Sequence, residues 1–262
     1  MAVQCSSRDV WVILAIRKQE FALPAMQVRE ILAMPDVTVV PMGRPEDRGV
    51  INLRGQVIRL IDMRKLFGWQ SVPEELDAFY KLMGQREEDH RNWLSELERS
   101  VTEGTEFRLG TDPRRCAFGQ WYYSYRPESA WVGALLRKFE SPHNRIHTLA
   151  SAVHGLTRSG RRDEAQSLID SKRNSELKQM VALFQELKDL MRQTAKELAV
   201  VITAAQRTFA ISVDHAVAVE AIAAGMIKEL NIQEHGFVRQ VAERTAAKSL
   251  ALILDPELVG VG

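Results

Sequence analysis

Arg48-Gly49-Val50-Ile51-Asn52-Leu53-Arg54-Gly55-Gln56-Val57-Ile58-Arg59-Leu60-Ile61-Asp62 is the stretch that decides how the N-terminal part of this chain folds. Two short runs rich in Val, Ile and Leu, Val50–Leu53 and Gln56–Asp62, flank Arg54-Gly55. Apolar runs of this length bounded by turn residues read as β-strands. Asn52-Leu53-Arg54-Gly55 is then a polar rim between them, with Gly55 permitting the turn and Arg54 able to project its charge outward. Taken alone, the same four residues also fit a plain surface turn.

The same texture extends outward from Val10 to about Gly68, broken by Pro24, Pro35, Pro41, Gly43, Pro45 and Gly49. Further strands are expected at Val10–Ile16, Glu20–Leu23 and Val37–Val40. Val28, Ile31 and Leu32 share one face of a short helical turn over Val28–Met34. Strands return after Ala199: Ala199–Ala204 and Thr208–Val213 flank Ala205-Gln206-Arg207 as a hairpin, and Phe209, Ile211 and Val213 keep the two-residue period of a strand. A helical turn and a strand over Ser249–Asp255 follow. The two β-rich parts echo each other. Phe21-Ala22-Leu23 resembles Phe209-Ala210-Ile211, and Leu60-Ile61-Asp62 with Leu66 and Gly68 resembles Ile253-Leu254-Asp255 with Leu258 and Gly260. A true repeat would make two related β-halves into one domain.

Between Glu74 and about Leu198 apolar residues recur every three or four positions among charges, as in Leu177, Met180, Val181, Phe184, Leu187, Leu190 and Met191. That is a helical stripe. Four helices are expected, at about 74–101, 113–124, 128–159 and 163–197. Asp112-Pro113 supplies an N-cap carboxylate and a proline suited to a first helical position, and Gly160 fits a break. The class is α+β, with helices inserted between two β-parts. Such an insertion is tolerable, because loop closure costs only ~0.6 kcal/mol per doubling of length.

The chain has 262 residues, 45% of them hydrophobic, and a formal net charge of +1. The balance lacks the basic excess that nucleic-acid binding needs. The apolar run Val10–Ile16 is far short of the roughly 20 residues of a spanning helix, and no signal peptide frames it. No nucleic acid partner, no membrane insertion and a cytoplasmic location are expected. Of the two cysteines, Cys5 sits in a polar N-terminal tail and reads as a free thiol. Cys116 needs an explanation of its own.

The helical region holds four of the six histidines, His90, His143, His147 and His154. His143 and His147, four apart, stack one turn above the other within reach of one ion. Cys116 sits just inside the helix opened at Asp112-Pro113, where the dipole, with Arg114 and Arg115, favours a thiolate. His90 lies on the first helix with Trp93 close behind. Three helices of a bundle can bring these together as a closed set of three nitrogens and one sulfur, suited to zinc. The spacing is not that of a compact zinc finger, and on spacing alone surface histidines remain as good a reading.

His90-Arg91-Asn92-Trp93, Cys116-Ala117-Phe118-Gly119-Gln120-Trp121-Tyr122 and the pair His143, His147 together resemble the chemoreceptor zinc-binding (CZB) domain, over roughly Phe79 to Leu198. The resemblance implies a four-helix bundle, often dimeric, in which His90, Cys116, His143 and His147 hold Zn2+. Trp93 and Trp121 are then packing and supporting residues, and His154 matches nothing. It also implies a cysteine that responds to zinc or to an oxidant such as hypochlorous acid. Glu20-Phe21-Ala22-Leu23-Pro24, Val28-Arg29-Glu30-Ile31, the Arg48–Ile58 stretch, Leu60-Ile61-Asp62-Met63-Arg64 and Phe67-Gly68 are very similar to the chemotaxis adaptor family CheW, as are Phe209-Ala210-Ile211 and Leu252-Ile253-Leu254-Asp255. Arg59 departs from that family, which often has proline there.

This second resemblance implies paired small β-barrels linking chemoreceptors to a CheA-type histidine kinase. Arg54 would contact the receptor, supported by Asn52, Val28 and Glu30. The expected domains are 8–72 and 199–260 for the CheW-like part and 73–198 for the inserted bundle. The expected function is a non-enzymatic adaptor, with no catalytic residues and a zinc- or oxidant-responsive insert. Its rivals are an adaptor with purely structural zinc and a zinc hydrolase. The hydrolase is disfavoured because His143-Asn144-Arg145-Ile146-His147 lacks the glutamate of H-E-x-x-H, and four protein ligands leave no position for water.

Overall fold

A computed structural model describes residues 10–41, 43–230 and 236–260; Cys5 and its polar tail lie outside the described residues. The chain forms two compact units, one from Met1–Val72 with Lys196–Gly262, the other from Pro73–Ala195.

The first unit is built from two six-stranded sheets. Strands β1 (Val10–Ile16), β2 (Gln19–Pro24), β3 (Val28–Ala33), β4 (Val37–Thr38), β5 (Asp47–Leu53) and β6 (Gln56–Asp62) precede the helical unit. Strands β7 (Leu198–Ala204), β8 (Arg207–Val213), β9 (His215–Ala221), β10 (Ile227–Glu229), β11 (Val238–Arg244) and β12 (Ser249–Leu254) follow it. One sheet runs β10-β11-β12-β2-β1-β9 and the other β4-β5-β6-β8-β7-β3. Each therefore draws strands from both sides of the helical unit.

The faint sequence echo is the reason for this interlocking. Phe21 and Ala22 on β2 lie parallel to Leu252 and Ile253 on β12. Ala210 and Ile211 on β8 lie parallel to Leu60 and Ile61 on β6. Aligning the echoed segments superimposes the two registers, so the halves are structural repeats that exchange partners. Each repeat ends in a capped turn. Asp62 accepts from the Lys65 amide at the start of helix α1 (Met63–Leu66), and Asp255 accepts from the Glu257 amide at 3.0 Å.

The alternation of β1 shows how both faces of a sheet are used. Val12, Leu14 and Ile16 join Phe21, Ile61, Val200, Ile202, Phe209 and Ile211 in a core shared by the two sheets. Trp11 and Ile13 face a smaller cluster with Ala22, Ala251 and Ile253, and Ile51, Ile58, Leu60, Val201 and Ala210 form its counterpart on the second sheet. The α+β class therefore stands. Within the described residues each sheet ends in two edge strands, and no pairing closes it into a hydrogen-bonded barrel.

Ion pairs join the repeats, among them Arg244 with Glu20 at 2.7 Å. Arg64 donates to Asp214 through Nε at 3.0 Å and Nη2 at 2.7 Å, and Asp214 also accepts from the Arg17 amide at 2.6 Å. Arg48 lies 2.7 Å from Glu197 where the chain re-enters this unit. Burial raises the Glu197 carboxyl above its ordinary value, with Arg48 opposing.

Two expectations about the β unit are corrected here. Val28–Met34 is not a helical turn but strand β3. A register shift between Val28 and Glu30 breaks the alternation and leaves apolar residues at helix-like spacing. The segment after Val213 is not a helical turn but edge strand β9, followed only at Ala224–Met226 by a 3-10 turn. Its alanines and exposed valines carry no clean strand pattern. Strands β10 and β11 lacked a sequence signal for the same reason.

The helical unit contains α2 (Val72–Glu103), α3 (Ala117–Ser124), α4 (Ala130–Arg137), α5 (Glu140–Arg158), α6 (Arg162–Lys172) and α7 (Lys178–Thr194), with a π-helical turn at Arg173–Leu177 joining the last two. All six contribute to one core, including Met83, Leu94 and Leu97, Phe118, Leu135 and Leu136, Ile146 and Val153, Ile169, Phe184 and Leu187. The helix expected over 128–159 is broken at Lys138-Phe139, where amides reach back three residues to Leu135 and Leu136. Pro142 then falls in the first turn of α5, where its missing N–H costs nothing. The helix expected over 113–124 starts at Ala117. Asp112 caps a separate turn through the Arg114 amide at 2.9 Å, and Cys116 itself is the N-cap.

Candidate metal centre

The stripe that α2 turns toward the core runs Met83, His90, Leu94, Leu97 and Val101. The corresponding stripe of α5 runs His143, Ile146, His147, Ala150 and Val153. Helical periodicity would place an aliphatic residue where each histidine stands. They are buried accordingly: His90 is 3% exposed, His143 0% and His147 1%. The surface reading of these histidines is thereby removed. Cys116, half-buried, reaches them from the N-cap of α3.

The four side chains converge. One donor atom each of His90, Cys116, His143 and His147 lies within 4.8 Å of the others. Cys116 Sγ stands 3.2 Å from His143 Nε2, and the His143 and His147 ring centroids are 4.9 Å apart. A tetrahedral site with zinc–nitrogen bonds of about 2.0–2.1 Å and a zinc–sulfur bond of about 2.3 Å has donors roughly 3.3–3.7 Å apart. The observed set needs only slight contraction around an ion.

Polar satisfaction gives an independent test of fit. His90 Nδ1 lies 2.6 Å from the Arg86 carbonyl, which fixes that ring and leaves Nε2 pointing away. His90 Nε2 and His143 Nδ1 are buried with no hydrogen-bond partner, and both ring nitrogens of His147 lack one in hydrogen-bond geometry, although the Gly110 carbonyl is placed to favour its protonated form. Buried nitrogens are normally bonded, and a cation, which takes one nitrogen from each ring, would satisfy His90 Nε2 and one nitrogen of His147.

The electrostatics agree. Burial pushes His143 down to about 3, helped by His90 and His147. Burial and His90 push His147 down to about 4. His90 is lowered as well, chiefly by burial. All three imidazoles are therefore neutral near pH 7, the state that can ligate a metal. The thiol behaves otherwise than its helix position suggests. Burial raises Cys116, and the amides of Gly119 and Phe118 only partly offset this. A cation, rather than the helix dipole, is what would hold the thiolate.

Around the donors, the Trp93 indole donates to the Gly110 carbonyl at 2.9 Å, and its ring lies 5.1 Å from that of His147. Phe107 packs on Trp93 at 5.1 Å and on His154 at 6.0 Å. Trp93 thus ties the segment leading to Cys116 against the histidines. Trp121 packs on Phe79, Phe118 and Tyr125 instead. Phe107 and Gly110 were invisible in the sequence, because nothing in a loop's composition announces which carbonyl a tryptophan will find.

The expected partner-binding residues lie elsewhere, at the β5–β6 turn and on β3. Arg54, with φ of 51°, is exposed and lies 3.0 Å from Glu30. Asn52 Oδ1 accepts from the Gly55 amide at 2.8 Å, closing the turn. Val28 is half-buried against the shared core. Arg59, the departure noted above, is held by Asp47 at 2.5 Å.

The helical unit thus carries a closed His/Cys set, and the β unit is made of two exchanged repeats. Comparison with known families gives the same two parts. Residues 11–89 match the CheW-like domain, and residues 90–154 match the chemoreceptor zinc-binding domain. The two matched segments are thus similar to two different domains, one CheW-like and one chemoreceptor zinc-binding. The two matches abut at residues 89 and 90, so they place the zinc-binding domain beside the CheW-like one, whereas the chain's two compact units divide at Val72 and Ala195. No curated protein matches the chain. Among solved structures, the scaffolding protein TtCheW from Thermoanaerobacter tengcongensis is similar, with 12% identity, 95% of this chain and 89% of that chain covered, and a TM-score of 0.44. Among the described residues no helix is long and apolar enough to cross a membrane.

Proposed function

We propose that this protein is a non-enzymatic cytoplasmic adaptor that couples chemoreceptors to a CheA-type histidine kinase. In this reading the whole helical unit, about 73–198, is a zinc-binding domain inserted between the CheW-like halves 8–72 and 199–260. The coupling responds to zinc or to an oxidant. The observation that carries the proposal is the convergence of four donor atoms within 4.8 Å, three of them on buried histidines and one on the half-buried Cys116.

His90, Cys116, His143 and His147 would hold the zinc. When bound, zinc supplies the positive charge that keeps the Cys116 thiolate ionised and cross-links α2, α3 and α5. Arg86 orients His90 through its carbonyl, and Trp93 holds the segment before Cys116. Oxidation of Cys116 to a sulfenic acid would convert a good ligand into a poor one and loosen α3 from α5. Four protein ligands leave no open position for a catalytic water, which sets the hydrolase reading aside. Arg54, presented on a rigid turn beside Glu30, is the proposed receptor contact, with Asn52 and Val28 shaping the surface around it. A second copy docking through the helical unit is a further expectation of this reading.

The test is zinc content and kinase activity measured together in a reconstituted receptor–kinase mixture, before and after chelation and before and after hypochlorous acid. The sensor reading expects kinase coupling to change while the β unit stays folded. Coupling indifferent to metal removal would leave zinc a purely structural role.

A further inference from the structure

Helices seldom keep glycine without cause, because it weakens them relative to alanine. In α2 and α5, Gly84 and Gly155 have open space where a Cβ would stand. Gly119, in the first turn of α3, has none. A Cβ there would lie 1.9 Å from the Pro113 carbonyl oxygen, 3.0 Å from its carbon and 3.2 Å from Arg114 Cα. These are backbone atoms, so no side-chain rotation relieves the overlap. Gly119 has no positive φ either, which leaves space as the reason for glycine.

The crowding is tied to the ligand set. The turn before α3 is closed by Asp112, whose side chain accepts from the Arg114 amide at 2.9 Å and whose carbonyl accepts from the Arg115 amide at 3.1 Å. That turn lays the Pro113 carbonyl against Gly119 and 3.4 Å from Cys116 Sγ. The Gly119 amide then donates to Sγ at 3.2 Å, on the atom that also stands 3.2 Å from His143 Nε2. Removing the Cβ at 119 is what lets the chain fold back tightly enough to point the thiol inward rather than along the helix surface.

We propose that Gly119 is a positioning residue. By admitting the Pro113 carbonyl against its Cα and donating its amide to Cys116, it aims the thiol at the three histidines. This inference rests on the reading of Cys116 as a metal ligand. Any side chain at 119 must push residues 113–116 outward, withdrawing sulfur from the site while leaving the histidines in place.

Full-length protein stripped of metal and loaded with Co2+ separates the possibilities, because thiolate ligation gives a near-ultraviolet charge-transfer band that imidazole ligation lacks. Wild type and Gly155→Ala should both show the band. Gly119→Ala should keep the visible bands of a histidine-bound ion, lose the charge-transfer band and bind about 10–100-fold more weakly, the usual effect of disturbing a supporting group. Undiminished band and affinity in a folded Gly119→Ala would overturn the proposal. Absence of the band in wild type would instead defeat the ligand reading itself. Should Gly119→Ala fail to fold, amide exchange decides the matter. The Gly119 amide should be protected in metal-loaded wild type and exchange at least about tenfold faster in Cys116→Ala, and equal exchange in the two would overturn the proposal.

Discussion

Replacing His147 with leucine should have opposite consequences in the presence and absence of zinc. His147 is 1% exposed; neither ring nitrogen has a partner in hydrogen-bond geometry, and the Gly110 carbonyl partly compensates one of them. Each buried, unpaired polar group costs about 1–3 kcal/mol. Leucine is similar in bulk and removes both, so the metal-free variant should be more stable than metal-free wild type by about 1–2 kcal/mol, the lower half of that range for the one uncompensated nitrogen. Zinc reverses the trend. With free zinc at 1,000 times Kd, binding stabilises wild type by about 4.1 kcal/mol. A variant whose Kd is 100-fold weaker gains only about 1.4 kcal/mol from the same relation. Zinc should thus lift wild type by about 2.7 kcal/mol more than His147→Leu. At roughly 4 °C per kcal/mol for a unit of this size, that is a differential of about 10 °C. Thermal unfolding followed by helical circular dichroism, with excess zinc and with chelator, reads it directly. A variant that is less stable than wild type by the same amount under both conditions would show His147 to be an ordinary packed residue. The reasoning from orphaned nitrogens would then be wrong.

Other perturbations probe other parts. Asp214→Ala removes both Arg64–Asp214 hydrogen bonds and the acceptor of the Arg17 amide; urea unfolding of the β unit should show a loss of about 1–3 kcal/mol, with zinc retention unchanged. Arg54→Glu sets a second carboxylate beside Glu30 on an exposed turn; circular dichroism should be unaltered while receptor pull-down weakens, and unchanged pull-down would remove Arg54 from the interface. Gly49, at φ of 134°, has Thr38 oxygen 2.2 Å from any added Cβ; Gly49→Ala should disrupt the β4–β5 pairing and lower β-unit stability by about 1–3 kcal/mol, whereas Gly55→Ala, with open space at its Cβ, should cost less.

What could be read from the sequence follows how local each signal is. The β5–β6 hairpin was legible because its turn chemistry and both apolar runs lie within fifteen residues. The four donors were legible as candidates because histidine and cysteine are scarce, and because His143 and His147 share a helix face. That the three histidines sit on the buried stripes of α2 and α5 was implicit in the same periodicity. Strand β3 was misread because a bulge shifts Val28 against Glu30 and mimics a helical face. Strand β9 escaped notice because an exposed edge needs little hydrophobic pattern. The exchange of partners between the repeats is a long-range pairing that only the weak Phe21-Ala22-Leu23 and Phe209-Ala210-Ile211 echo hinted at. The start of α3 was misplaced because Asp112-Pro113 is a good cap for a turn that stops before the helix begins. The same error placed Cys116 inside the helix, where a lowered thiol was expected, instead of at its N-cap, where burial raises it.

X-ray absorption at the zinc edge of the purified full-length protein bears most directly on the four-ligand centre. The account requires about one zinc per chain, with a shell of three nitrogens at about 2.0–2.1 Å and one sulfur at about 2.3 Å, and loss of the sulfur in Cys116→Ala. A protein without zinc after gentle purification, or a zinc shell of nitrogen and oxygen with no sulfur, would contradict it.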